Sequence, residues 1–210
     1  MFNDKYGLTQ AVLNGRKTMT RRIIEIDEYV RFPIIRFRPL EKWEKKVTNP
    51  NYVFNGHVYA VYNELDLLCH LVKPRYEMGE VVAIAQSYKD CGKFDVYKSP
   101  LGFPGWRNKM FVKAELMPHH IEITGIKIER LQDISDEDCL KEGIYRLDSA
   151  NGNGGIAYSF VGASDKKHIG LYNTPRDAFS ALIDKVSGRG TWESNPYVWV
   201  YEFELFELFD

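Results

Sequence analysis

Apolar and polar positions alternate along this chain with periods that change from segment to segment, and the changes mark its elements. Leu8, Ala11 and Val12 recur at helical spacing and Gly15 follows where a left-handed C-terminal cap belongs, which predicts a short helix over 8–14. Residues 17–24 are basic and β-branched and predict an extended segment; residues 31–40 alternate loosely around Pro33 and Pro39, an irregular strand and loop. Two aromatic and β-branched runs, 52–54 and 58–62, flank Asn55-Gly56, the strongest short hairpin signal in the chain. Gly79 opens a run through Ala85 that reads as a buried strand entered through a glycine turn.

Residues 110–112 and 121–131 are strand candidates, the second with room for a turn or bulge at Thr124-Gly125. The period then becomes helical. Ser135 stands as N-cap before three acids, Asp136, Glu137 and Asp138, and Gly143 terminates the run. Residues 150–155 are rich in Gly and Asn, but no P-loop lysine follows, so a loop is expected rather than a phosphate cradle. Thr174-Pro175 starts the longest predicted helix, whose apolar face is Ala178, Phe179, Ala181, Leu182 and Val186 before Gly188. After Asn195-Pro196 a strand puts Tyr197, Trp199, Tyr201, Phe203 and Leu205 on one face, and Val198, Val200, Glu202 and Glu204 on the other. Many strands, few short helices and no βα alternation predict an α+β fold built on a mixed β-barrel.

Composition narrows this picture without changing it. With 210 residues, 44% hydrophobic and 27% charged, the chain suits one well-packed domain, 1–210, rather than a disordered or fibrous protein. No stretch approaches the roughly 20 apolar residues of a membrane span, and the first residues lack a signal-peptide pattern, so a cytoplasmic protein with no membrane partner is expected. Cys69, Cys91 and Cys139 are too widely spaced for a zinc pattern and are expected to be free thiols. The five histidines show no metal-ligand spacing, so neither a metal nor another cofactor is expected. The net charge of −1 hides a basic N-terminal portion and an acidic C-terminal end. That bias either steers a phosphate-bearing ligand or is a solvated face.

Four segments, taken in order, resemble the ASCH family of PUA-like proteins: 15–22 (Gly-Arg-Lys-Thr-Met-Thr-Arg-Arg), 79–82 (Gly-Glu-Val-Val), 123–135 (from Ile-Thr-Gly-Ile to Gln-Asp-Ile-Ser) and 195–200 (Asn-Pro-Tyr-Val-Trp-Val). The resemblance implies a PUA-like mixed β-barrel with a few short peripheral helices, here with insertions near 25–78 and 145–172. It also implies RNA or modified-nucleoside chemistry. Within the family, N4-acetylcytidine amidohydrolases use a lysine and a threonine of a Gly-Arg-Lys-Thr-x-Thr motif, matched here by Lys17 and Thr20, and a glutamate of the later helix, matched by Glu142. Arg21 stands where those enzymes have an aliphatic residue.

Amide hydrolysis needs a nucleophile, a base, an acid for the departing amine and a donor for the oxyanion. The resemblance assigns these roles to Thr20 as nucleophile, Lys17 as its activator and Glu142 as proton carrier. Arg16, Arg21 and Arg22 would depress the Lys17 pKa, with Arg22 also holding a carbonyl or charged oxygen. Glu142 falls at the C-terminal end of its predicted helix, where the dipole disfavours a carboxylate's charge. In a regular strand positions 17 and 20 face opposite sides, so joint action requires a turn or bulge between them. Trp106, on a basic loop with Arg107 and Lys109, is a candidate for stacking on a base. Two other readings of the same residues stand beside the hydrolase: a non-catalytic module binding RNA or a modified nucleotide, and an accessory interaction protein that merely reuses the barrel.

Overall fold

The computed structural model describes residues 2–26, 34–40, 58–91, 109, 112–148, 155–160 and 170–206. The architecture is α+β, with antiparallel sheets and short helices. A four-stranded sheet forms the centre. Its two long strands, β6 (His120–Arg130) and β9 (Tyr197–Phe206), pair along almost their whole length. On one side β9 pairs with β1 (Met19–Ile23), and on the other β6 pairs with β5 (Val81–Ala83), so the order is β1-β9-β6-β5. The register of β6 on β9 slips between Ile123 and Gly125. The predicted bulge is therefore present, and it bends the long strands so that the sheet curls into a half-barrel. No Cβ fits easily at Gly125, where it would lie 3.1 Å from the Glu202 side chain.

A second sheet, β2 (Ile34–Pro39), β3 (Tyr59–Asn63) and β4 (Leu68–Val72), packs against one face of the first. The alternation read from the sequence of β9 decides what lies on each side. Trp199, Tyr201 and Phe203 join Val61, Val72, Ile84, Ile121 and Ile123 in a core between the two sheets, with Tyr59 edge-on to Trp199 at 5.2 Å. Val198 and Val200 point the other way, into a core made with the helices.

That second core holds Met19, Phe160, Phe179, Leu182 and Cys139, all buried. It is roofed by α3 (Asp136–Lys141) and α4 (Pro175–Ser187). Both helices begin as the sequence prescribes: Ser135 Oγ accepts from Asp138 N at 3.1 Å, and Thr174 Oγ1 from Asp177 N at 3.1 Å. α1 (Leu8–Leu13), α2 (Tyr88–Cys91), α5 (Thr191–Ser194), the antiparallel β7–β8 pair (Tyr145–Asp148, Ile156–Ser159) and three 3-10 turns (Asp4–Tyr6, Ala114–Leu116, Leu131–Asp133) complete the described elements.

Several expectations change. β5 is a three-residue edge strand rather than a buried one, and its Val81 is exposed. β4 was not foreseen: its turn, 64–67, has no Gly or Pro, and Asn63 Oδ1 builds it by accepting from the backbone N of Leu65 and Leu67, both at 3.0 Å. Val112 lies outside any strand, and the Asn55-Gly56 turn and residues 110–111 and 150–154 lie outside the described residues. None of the described helices is long and apolar enough to cross a membrane.

Candidate functional site

The 15–22 segment works as a helix-to-strand junction. α1 ends at Leu13 with Asn14 as its C-cap, Gly15 takes φ +68, and the N–H groups of Arg16 and Lys17 both donate to Ala11 O at 2.9 Å. The left-handed turn that only glycine adopts cheaply throws the chain back under the helix. Lys17 thus belongs to this turn, and ladder bonding to β9 starts one residue later, where Phe203 N donates to Thr18 O at 2.9 Å. The break between 17 and 18 places a turn ahead of the strand that carries Thr20.

What fixes the junction is the end of α3. Three successive carbonyls there accept from three successive residues of the motif: Lys141 O from Thr18 N at 2.9 Å, Glu142 O from Lys17 Nζ at 2.8 Å, and Gly143 O from Arg16 Nη1 at 2.6 Å. Cations at a helix C-terminus satisfy orphan carbonyls and oppose the dipole. Over 120 residues of sequence separate the partners, and this clasp brings Glu142 to Lys17.

Lys17 and Glu142 are both almost fully buried, at 2% and 4% exposure. Lys17 Nζ donates to Glu142 Oε2 at 2.6 Å and to Met19 O at 2.7 Å, so with Glu142 O all three ammonium donors are used. Burial pushes the Lys17 pKa below the usual lysine range, over the opposing pull of Glu142; Arg22 and Arg21 add smaller downward contributions. The depression foreseen from neighbouring arginines is therefore mainly an effect of burial.

Arg21 is the second cation on Glu142, donating from Nη1 to Oε1 at 3.1 Å. It also reaches Glu129 Oε1 at 2.5 Å and Asp138 Oδ2 at 3.3 Å. Burial works against its charge, but Glu142 and Glu129 outweigh it and hold the Arg21 pKa above its ordinary value. Glu142 is thus gripped on one oxygen by Lys17 and on the other by Arg21. Glu129, which the sequence pattern did not single out, and Asp138, read there only as an acid of the first helical turn, both enter this network.

Lys17, Thr20, Arg21, Arg22 and Glu142 line one cavity of about 420 Å³, walled opposite by Phe179 and Leu182 of α4. Such a volume suits a small ligand. Thr20 is 8% exposed and is one of the residues lining the cavity. β1 is an edge strand, and the bonds Phe203 N to Thr18 O and Ile24 N to Tyr197 O fix which residues face β9. Alternation then leaves the backbone groups of Met19, Arg21 and Ile23 on the edge of β1 that has no partner strand among the described residues. Met19 O is taken by Lys17, whereas the Arg21 N–H is a main-chain donor beside Thr20 that sequence reasoning missed.

The remaining candidates separate. Arg22 lines the cavity, but Arg16 does not: it is half-buried over the Tyr145 ring at 5.2 Å and clasps Gly143. Lys109 is ion-paired to Asp4, with Nζ at 2.7 Å from Oδ1. Trp106 and Arg107 lie outside the described residues. Among the described residues no group of three or more His, Cys, Asp or Glu side chains is placed to hold a metal ion. Comparisons with protein-family models, curated proteins and solved structures gave no match for this chain.

Proposed function

We propose that this protein is a small ASCH-type amidohydrolase on a PUA-like barrel, acting on an acylated nucleobase amine such as that of N4-acetylcytidine. The observation that carries the reading is the joint presence of Lys17, Thr20 and Glu142 around one cavity, with a buried lysine whose pKa is depressed. Since all three Nζ donors are engaged, Lys17 becomes a base only after the proton on the 2.6 Å bond passes to Glu142 Oε2. Once the protonated carboxyl turns away from Nζ, the Lys17 lone pair accepts the Thr20 hydroxyl proton while Oγ1 attacks the acyl carbon. Arg22 or the Arg21 N–H holds the oxyanion. Glu142 returns its proton to the leaving nitrogen as the C–N bond breaks. Water then hydrolyses the Thr20 ester, with Glu142 taking its proton and Lys17 protonating the departing Thr20 oxygen.

Incubation with N4-acetylcytidine tests this reading. Wild type is expected to release cytidine and acetate, and Thr20→Val to release neither above background. Equal release by the two, or none by either, counts against it.

One observation favours a second reading, a non-catalytic module for RNA or a modified nucleotide. The Lys17 ammonium is saturated, and it serves the end of α3 as a cap. On that reading Lys17 and Glu142 hold the cavity's shape, and RNA affinity falls steeply with salt and on Arg22→Gln, with no hydrolysis.

A further inference from the structure

The register of the central sheet sets Arg21 of β1 and Lys127 of β6 on either side of Val200, with Glu129 one pleat further along, opposite Val198. Val198 and Val200 face the helices, and cross-strand neighbours share a face, so all three charged side chains stand on the side that carries α3. Arg21 spans the acids gathered there. Its Nη1 donates to Glu142 Oε1 at 3.1 Å, Nε and Nη2 donate to Glu129 Oε1 at 3.1 and 2.5 Å, and Nη2 also lies 3.3 Å from Asp138 Oδ2. Lys127 Nζ closes the outer side, 2.9 Å from Glu129 Oε2. With 1% of its side chain exposed and the Phe179 ring 5.9 Å from Cζ, the guanidinium is enclosed.

A guanidinium offers only N–H donors and accepts nothing. A proton on Glu142 Oε1 would therefore set an O–H against the Arg21 Nη1–H, donor against donor. A proton on Oε2 leaves Oε1 as a carbonyl oxygen that still accepts from Arg21. Oε2 is the oxygen 2.6 Å from Lys17 Nζ. In its charged and its neutral form alike, the Glu142 carboxyl thus presents one reserved oxygen and one that can take a proton. Glu129 and Asp138 matter because an arginine this close, with no other acid to share its charge, would only oppose protonation of Glu142.

We propose that Arg21 is a positioning residue: held by Glu129 and Asp138, it reserves Oε1 of Glu142, so that the proton taken from Lys17 and delivered to the leaving nitrogen travels on Oε2 alone. The O–H then turns from Nζ toward the leaving nitrogen while Oε1 stays on Arg21. The proposal rests on the hydrolase reading and deepens it, by assigning a residue that never touches the acyl group through its side chain.

The first test needs no turnover. It follows the 15N–1H signal of the Lys17 ammonium in the full chain, assigned by its loss in Lys17→Met. A buried ammonium with all three donors engaged exchanges slowly with water; in Arg21→Met, where Glu142 keeps no fixed oxygen, the signal should shift and its exchange should quicken by at least about tenfold. The second test is hydrolysis of N4-acetylcytidine by folded protein, in which kcat should fall by at least about tenfold while KM changes by less than about threefold. Where Arg21→Met does not fold, Arg21→Lys takes its place: it keeps the buried charge but lacks the fork that spans Glu129 and Glu142, and the same changes are expected. A purely structural Arg21 would leave the signal and kcat of a folded variant at wild-type values, and that result overturns the proposal. So does a change in only one of the two when wild type is active. If wild type hydrolyses no acylated base amine, the hydrolase reading alone fails, and the Lys17 signal decides about Arg21: a displaced signal upholds the positioning and an unmoved one overturns it.

Discussion

Lys17 and Glu142 meet twice, once through the carboxylate Oε2 at 2.6 Å and once through the Glu142 main-chain oxygen at 2.8 Å. The pair is therefore both the end of a helix and the centre of the cavity. Any account of the chemistry has to begin from a lysine that is buried and already satisfied.

Glu142→Ala removes the acceptor for two buried cations and is expected to destabilise the fold by about 3–5 kcal/mol, the usual consequence of leaving a buried charge without its partner. Replacing both partners, as Lys17→Met with Glu142→Leu, should cost less than the two single changes summed. Urea unfolding of the four proteins measures this. Additive losses would mean that the pair is not energetically coupled.

Stability should also carry the signature of Lys17 in its pH dependence. Its folded pKa lies below the ordinary 10.5, to which it returns on unfolding. Between those two values the unfolded chain holds more protons, so the contribution of Lys17 to stability is lowest below the folded pKa and rises with pH across the window. The difference in unfolding free energy between wild type and Lys17→Met should move in favour of wild type as pH approaches 10.5. A difference that falls with pH contradicts the assigned direction.

Gly143→Ala probes the clasp without altering a charged group. Gly143 has φ +106, and a Cβ there would lie 3.3 Å from Leu8 Cδ2 and 3.6 Å from Lys17 Cδ. Backbone strain alone predicts a loss of about 1–3 kcal/mol. Because the new methyl leans on the Lys17 stem, hydrolysis should fall further than stability does. Unaltered activity at reduced stability would separate the clasp from the site.

The thiols should react unequally. Cys139 is fully buried, and burial drives its pKa to about 12, whereas Cys69 is partly accessible. A native chain treated with an aromatic disulfide at mild alkaline pH should be modified at Cys69 well before Cys139. Peptide mapping that finds Cys139 modified on the same timescale would contradict its placement in the core.

Much of this was legible in the sequence because local signals and packing agreed. The caps at Ser135 and Thr174, the bulge at Gly125 and the two faces of β9 all follow from residue type and period. β4 escaped because its turn is built by an asparagine side chain rather than by Gly or Pro. At the site, Lys17, Thr20 and Glu142 came from a resemblance; their meeting depends on the α3 clasp, which is a tertiary event. Arg16 was expected beside a ligand but faces Gly143 and Tyr145 instead. The contacts of Glu129 and Asp138 with Arg21 could not be foreseen because they exist only once Arg21 is buried between these acids and Glu142.

The central claim is that Lys17 and Thr20 act as one unit on an acylated base amine. Its most direct test is the rate of cytidine release from N4-acetylcytidine by wild type, Lys17→Met, Thr20→Val and the double variant, each confirmed folded. Each single change is expected to lower the rate by at least about 100-fold, and the double variant to be no slower than the worse single one. Full activity in Thr20→Val, or losses that multiply in the double variant, would contradict it.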